Sequence, residues 1–384
     1  MKVLFVLSDC NAEHGSFLSV LSLGKELQKM GIVTKYIIPK WDDGAKLLAE
    51  EGLCYSLVRS YSWVVSSKKK NKAVNVLKWK IKKLLNYIAV VRISIIAKHF
   101  GAQIIHINSI DSYVGALAGR IMNIPVIWHF REFLEEDHES EFWERDFSYR
   151  IIGYASRIVC VSDSLREKYS IGNLRNKTIT VYNGIDVKKF YNPDRDIFRS
   201  EPIKIAIIGR ICEHKGQLDF VDAISIINKR LDGKVHAYCV GDGKADDVER
   251  VCKRITDKKI HNIEMVGFQS DIKSWYHNID IIVVCSHSEA FGRVTVEAML
   301  SGCLVIGADS AGTKELIVNN ETGWLYRTHD SKELAEKVMF AISNIEESRV
   351  IARNGQRYMQ NNMTAEKNAA RIAKLYNECT SNNK

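Results

Sequence analysis

Ile281-Ile282-Val283-Val284-Cys285-Ser286-His287-Ser288-Glu289-Ala290-Phe291-Gly292-Arg293-Val294-Thr295-Val296-Glu297-Ala298-Met299 packs a strand, a loop and the start of a helix into one short stretch. The continuous apolar run Ile281 to Cys285 is the pattern of a strand covered on both faces, as in a parallel sheet flanked by helices. The pattern predicts a helix from about Gly292. Its unpaired N–H groups and positive dipole end form an anion site, and Gly292 allows a ligand to come close. Glu297, about one turn inside, has two oxygens that can accept from adjacent hydroxyls such as a ribose diol. Glu289 stands before the helix, where it can reach a sugar beyond the phosphates. A dipole-favoured Glu at a helix start, with an ordinary surface Glu ahead of it, is the competing reading.

The same strand–loop–helix alternation extends in both directions. Upstream, Ile203 to Ile208, Val235 to Val240 and Ile263 to Val266 read as strands, and downstream Leu304 to Ile306 does. The first half repeats the theme: Val3 to Leu7, Ile32 to Ile38, Ile104 to Ile107, Val126 to His129 and Ile158 to Val161. Between the first two of these strands, Leu18, Leu21, Leu23, Leu27 and Met30 recur at helical spacing. The fold class expected is α/β, two tandem doubly wound Rossmann-like domains. Residues 1–190 form the first domain, and the charged, proline-bearing stretch 191–202 reads as a linker. Residues 203–362 form the second domain, and 363–384 carry a final helix.

The 384 residues carry a net charge of +9, which is unevenly spread. Between Gly52 and Ile110 there is no Asp or Glu, yet there are eleven Lys and Arg, so the remainder is nearly neutral. This asymmetry, centred on Lys68 to Lys83, points to an anionic surface, and Ala73 to Phe100 interleaves its lysines with apolar residues at helical spacing. A core helix with solvated lysines is the alternative. The nine cysteines are scattered without a C-x-x-C, which suits a reducing compartment. The longest apolar run, Leu84 to Ala97, contains Asn86 and Arg92 and is too short to span a bilayer. No His or Cys spacing suggests a metal site.

A second chemical group lies just past the Ile203–Ile208 strand: Gly209-Arg210-Ile211-Cys212-Glu213-His214-Lys215-Gly216. Arg210 offers a planar fork and Lys215 a point charge, and together they can grip a diphosphate from two sides. A solvated loop with incidental charges is the bland alternative. Gly241-Asp242-Gly243 reads equally as a plain turn or a nucleotide contact. Asn183-Gly184 reads as a turn rather than a sugar ligand.

Gly209-Arg210-x4-Lys215-Gly216 followed by Glu289-x-Phe291-Gly292-x4-Glu297 resembles the retaining, sugar-nucleotide-dependent GT-B glycosyltransferases of group 1. The resemblance runs on through Val240-Gly241-Asp242-Gly243, Val266-Gly267-Phe268, Gly312-Thr313-x-Glu315 and Gly323-Trp324-Leu325. It implies two domains with the active site in the cleft and a final helix crossing back to the first. It also implies Arg210 and Lys215 on the donor diphosphate, Glu297 on the ribose and Glu289 on the transferred sugar. Phe268, Phe291, Gly292, Arg293 and Val294 complete the donor site, and His129 neighbours the reacting sugar. Where many members have two consecutive glycines after the first strand, this chain has Asn11-Ala12-Glu13-His14-Gly15-Ser16, and Gly15 takes the role of close approach.

The activity expected is transfer, with retention, of a hexose or N-acetylhexosamine from a uridine diphosphate donor to a saccharide or polyprenyl-linked acceptor in cell-surface polysaccharide synthesis. No metal and no cofactor are expected, since Arg210, Lys215 and the helix end neutralise the diphosphate. The expected location is cytoplasmic, peripheral on the inner face of the plasma membrane. A sugar-nucleotide epimerase or hydrolase is the rival enzyme reading. A nucleic-acid-binding protein is the rival of another class, disfavoured because the basic segment has no repeated stacking aromatics.

Overall fold

The computed structural model describes residues 1–70, 73–231 and 233–381. Lys72, counted in the basic segment, and the polar end 382–384 lie outside the described residues. The chain divides into two compact units, Met1–Gly184 together with the C-terminal helix, and Ile185–Thr364.

The strands of the first unit are β1 (Lys2–Leu7), β2 (Val33–Ile38), β3 (Tyr55–Leu57), β4 (Val64–Ser66), β5 (Ile104–Asn108), β6 (Val126–Phe130), β7 (Ser140–Phe142), β8 (Arg157–Cys160) and β9 (Thr178–Thr180). Seven form a sheet in the order β3-β2-β1-β5-β6-β8-β9, with every pair parallel, and β4 pairs antiparallel with β7. Alternate residues of β1 enter one core cluster, Val3, Phe5 and Leu7, with Leu23 and Leu27 from the helix Gly15–Lys29. The C-terminal helix Ala365–Ser381 adds Ala369, Ile372 and Tyr376 to that cluster, and Asn368 donates to the Tyr182 carbonyl at 2.7 Å.

The helix Ala73–Phe100 is apolar on two sides. Trp79, Ala89, Val90, Ile93 and Ala97 are buried, and Asn86 both donates to and accepts from the Tyr61 backbone. On the other side Val74, Leu77, Ile81, Leu84, Ile88, Val91 and Ile95 are exposed, spaced alternately three and four residues apart. The lysines differ from a free basic patch. Lys68 pairs with Glu139 at 2.6 Å, Lys70 with Glu141 at 2.5 Å and Lys83 with Glu144 at 2.7 Å. Carboxylates from around β7, some 60 to 70 positions later in the chain, therefore neutralise part of a segment that looks uniformly basic in sequence. No helix among the described residues is long and apolar enough to cross a membrane.

The second unit holds β10 (Ile203–Ile208), β11 (Val235–Val240), β12 (Ile263–Gly267), β13 (Ile281–Val284), β14 (Leu304–Ala308) and β15 (Trp324–Tyr326), all parallel, in the order β12-β11-β10-β13-β14-β15. Residues 191–202 are not a free linker. Ile197 and Phe198 enter this unit's core, the Phe198 N–H donates to Asp280 at 2.9 Å, and the unit boundary lies at Gly184/Ile185. Ile197 and Phe198, together with Arg195 donating to the Ile279 carbonyl and Arg349 pairing with Asp196, strap the segment down, and composition alone hides them.

Strand order reverses beside β1 in the first unit and beside β10 in the second. Neighbouring loops diverge at such a point and leave a crevice beyond the carboxyl ends of the strands.

Candidate active site

At the second unit's switch point a cavity of about 100 Å³ is lined by Gly209, Arg210, Lys215, Gln217, Ser286, Glu289, Gly292 and Val294, with Ile207, Ile208, Val283, Val284 and Cys285 behind them. Five residues of the two spaced motifs, Gly209, Arg210, Lys215, Glu289 and Gly292, thus line one cavity, while Phe291, Arg293 and Glu297 stand outside its lining. The loop after β10 is held from below: Gly209 N–H donates to the Val240 carbonyl and Ile211 N–H to that of Asp242. A Cβ on Gly241, whose φ is +138°, would lie 2.0 Å from the Gly209 oxygen. Gly241-Asp242-Gly243 is therefore a bed for the Arg210 loop. Gln217 donates to the Arg210 carbonyl at 2.9 Å and fixes the loop's other end.

Lys215 Nζ lies 2.6 Å from Glu289 Oε2, so the cation and the carboxylate from two distant loops meet directly. Glu289 is anchored through its carbonyl, which accepts from the Gly312 N–H, and Ser310 Oγ donates to the Ser286 carbonyl. Gly292, at φ +93°, opens the helix Arg293–Leu300, a backbone state that L side chains rarely adopt. One turn inside, Glu297 is buried. Its Oε1 accepts from Arg293 Nη2 at 2.9 Å and its Oε2 from the Tyr276 hydroxyl at 3.1 Å. Burial first, then the Glu297 charge, holds the Tyr276 hydroxyl well above its usual pKa. Burial and the neighbouring Lys215 cation lower that of His214. Arg293 thus holds Glu297 through its guanidinium. Phe291 is buried, and Phe268 stands exposed just past β12, apart from the residues lining the cavity. Sequence reasoning missed Tyr276 and Gln217, since a tyrosine and a glutamine in ordinary helices carry no motif.

In the first unit, Gly15 begins a helix whose cap residue His14 is ion-paired with Asp9. His129, at the end of β6, is fully buried. Tyr376 hydroxyl lies 2.6 Å from His106 Nδ1, His106 Nε2 lies 3.3 Å from His129 Nδ1, and Arg131 donates to that same Nδ1 at 3.2 Å. Burial, then the Arg131 cation, pushes the pKa of both imidazoles well below the usual value, so both are neutral. With Nδ1 of His129 accepting, its proton sits on Nε2, which carries no hydrogen bond among the described residues. Arg131 also grips Asn108 and Asn183, so Asn183 is a structural partner.

Beside this chain lies an acidic pair that the sequence reading left unassigned. Glu132 is buried and accepts from Ser109 Oγ and the Ile110 N–H. Burial, then the Glu132 charge, raises the Asp111 carboxyl to about 7, and burial raises Glu132 as well.

Residues 192–358 match the family described as Glycosyl transferases group 1, and residues 15–189 match Glycosyltransferase Family 4. The chain belongs to the group 1 glycosyltransferases. It is 26% identical over 235 residues to the capsular polysaccharide biosynthesis glycosyltransferase CapM of Staphylococcus aureus, covering 58% of this chain and 62% of that one. It is 25% identical over 244 residues to an N,N'-diacetylbacillosaminyl-diphospho-undecaprenol alpha-1,3-N-acetylgalactosaminyltransferase of Campylobacter jejuni, covering 60% and 62%. The matches thus span about 60% of the length of these curated relatives. Among solved structures, Anabaena HepE in complex with UDP superposes with a TM-score of 0.80 over 98% of this chain and 100% of that one, at 21% identity. At that identity the likeness establishes the fold, two Rossmann-like halves of the GT-B type.

Proposed function

We propose that this glycosyltransferase moves a hexose or N-acetylhexosamine from a uridine diphosphate sugar to a saccharide or lipid-linked saccharide acceptor in cell-surface polysaccharide synthesis, with retention of anomeric configuration. The observation that carries the proposal is the convergence of Arg210, Lys215, Glu289, Gly292 and Val294 on one cavity at the second unit's switch point. The names of the S. aureus and C. jejuni relatives support a polysaccharide or undecaprenol-linked acceptor, and UDP in HepE supports the donor.

Breaking the anomeric bond places growing negative charge on the departing diphosphate. Arg210, Lys215 and the N–H groups after Gly292 are fixed donors for that charge, so they bind the transition state more tightly than the ground state. Among the described residues, Glu289 is the one carboxylate lining the cavity, and its partnership with Lys215 suits a sugar ligand better than a nucleophile. The leaving phosphate itself then takes the acceptor proton on the same face. Charge neutralisation in this scheme uses no metal at the diphosphate. His129, as a neutral and fully buried ring, is unsuited to exchange protons with the acceptor.

The first unit is the acceptor side, and its exposed apolar stripe at Ala73–Phe100, flanked by Lys78, Lys80 and Lys82, supports docking on an anionic membrane at the cytoplasmic face. A thermal-shift panel of UDP-, GDP- and ADP-sugars tests the donor, because a ligand of the folded state raises Tm by mass action. Anomeric analysis of the product then tests retention. No stabilisation by any nucleotide sugar overturns the assignment.

A further inference from the structure

Asp219, His287 and His329 are separated by 68 and 42 positions in sequence, yet one ligand atom from each lies within 4.8 Å of the other two. Asp219 sits in the first turn of the helix Gln217–Asn228, His287 in the loop after β13, and His329 in the turn after β15. Asp219 Oδ2 lies 3.3 Å from His287 Nε2 and 3.6 Å from His329 Nδ1, and the two imidazole rings are 3.8 Å apart.

We propose that these three side chains form a zinc site with an open fourth position. A tetrahedral zinc with bonds of about 2.0–2.2 Å sets its ligand atoms about 3.3–3.6 Å apart. The two Asp–His separations match that edge. They are longer than the roughly 2.7–2.9 Å of a charge-assisted hydrogen bond, the distance to which an imidazolium and a carboxylate would close. Two imidazole nitrogens and one carboxylate suit a borderline transition ion and disfavour calcium or magnesium, which take oxygen ligands. His329 adopts φ +67°, an unusual state for a residue with a side chain, and that turn directs its ring toward Asp219.

The ligands tie together parts of the chain that matter to the donor cavity. Asp219 follows Lys215 and Gln217 into its helix, His287 lies two residues before Glu289, and the His287 N–H donates to the His214 carbonyl at 2.8 Å. The ion would clamp the loop of Lys215 to the loop of Glu289 and is not a reactant. Zinc binding does not depend on the donor assignment, so the two stand or fall separately.

The test strips the full-length protein with a chelator, then titrates zinc chloride by calorimetry and follows Tm. One zinc per chain and a rise in Tm are expected. His329→Gly removes a ligand at a φ that glycine adopts freely, so the variant folds, and its zinc affinity should fall at least 100-fold. His287→Gln should do the same. Cys212→Ser guards against a competing site, because Cys212 Sγ lies 3.4 Å from His214 Nε2. That variant should bind zinc as the native protein does. Cobalt in place of zinc should give a tetrahedral visible spectrum without a thiolate charge-transfer band. Absence of saturable binding, binding unchanged in His329→Gly, loss of binding in Cys212→Ser or a thiolate band would each overturn the site.

Discussion

Glu297→Gln is the most informative single change, because the structure already occupies both carboxylate oxygens. Arg293 donates to Oε1 and Tyr276 to Oε2, which fixes the plane of the group and leaves one lone pair on each oxygen for a ligand hydroxyl. Gln keeps the shape and the acceptor facing Arg293 but turns an amide toward Tyr276 and loses the charge. A hydrogen bond to a charged group contributes about 1.5–3 kcal/mol and a neutral one about 0.5–1.5, so the substitution should weaken donor binding by about 1–3 kcal/mol. That is about 5- to 150-fold in Kd. The effect on stability should be smaller, about 1 kcal/mol, because Arg293 keeps an acceptor and some contact with solvent. Calorimetry with UDP and with 2'-deoxy-UDP isolates the ribose. Native protein should favour the ribonucleotide, and Glu297→Gln should lose most of that preference. Tyr276→Phe serves as the control, lowering stability by about 1 kcal/mol while leaving the preference in place. A folded Glu297→Gln protein that still distinguishes the two nucleotides would refute the ribose assignment.

Arg210→Ala and Lys215→Ala should lower kcat more than they raise KM, and a double-mutant cycle should show non-additivity if both act on one diphosphate. Glu289→Gln in the Lys215→Ala background should restore part of the loss by removing a carboxylate that then repels the phosphate. Turnover measured immediately after EDTA is added should stay within about twofold of the control; strict dependence on added magnesium or manganese, with zinc unable to replace them, would sink neutralisation by Arg210 and Lys215. Native protein should sediment with anionic vesicles at low salt, and Leu77→Ser with Leu84→Ser should release it more fully than Lys78→Gln with Lys80→Gln, because burial of apolar surface carries the docking. Absence of sedimentation together with concentration-dependent dimerisation would assign the stripe to a second copy of the chain. Asp111, raised to about 7 by burial and by Glu132, binds more protons folded than unfolded between about pH 4 and 7, so its contribution to stability falls as pH rises through that window. Asp111→Asn should therefore raise Tm relative to the native protein at pH 8 and change it little at pH 5; an equal shift at both would refute the raised carboxyl.

What could be read from the sequence follows from which interactions are local. β10 and β11 were legible to the residue, since each is a six-residue run of mostly apolar side chains broken only once by a charged or imidazole group, Lys204 or His236. The strands β3, β4, β7, β9 and β15 are three residues each, too short to show a period, and were missed. The loops that line the cavity were legible because Gly209 to Gly216 and Glu289 to Glu297 each carry their charged and glycine residues within nine residues of one another, on either side of a strand end or helix start.

The unread features have the opposite property. Glu139, Glu141 and Glu144 cancel Lys68, Lys70 and Lys83 only after the chain has brought β7 to β4, so a local count of charge overstates the basic patch. Tyr376 reaches His106 from a helix 270 positions away, and that contact orders the proton positions of the histidine pair. Asp219, His287 and His329 are the extreme case. Each lies in a different segment, none has a partner at metal-ligand spacing, and the eleven histidines give no pattern when read along the chain. What joins them is the parallel sheet itself. Every carboxyl end in such a sheet points the same way, so the turn after β15, the loop after β13 and the helix that follows the β10 loop all emerge on one edge of the unit. Side chains there meet regardless of separation in sequence, and a fold that gathers the cavity-lining loops on that edge also gathers residues outside the cavity. His329→Gly separates the two sets, because it removes a proposed metal ligand and leaves every residue lining the donor cavity in place.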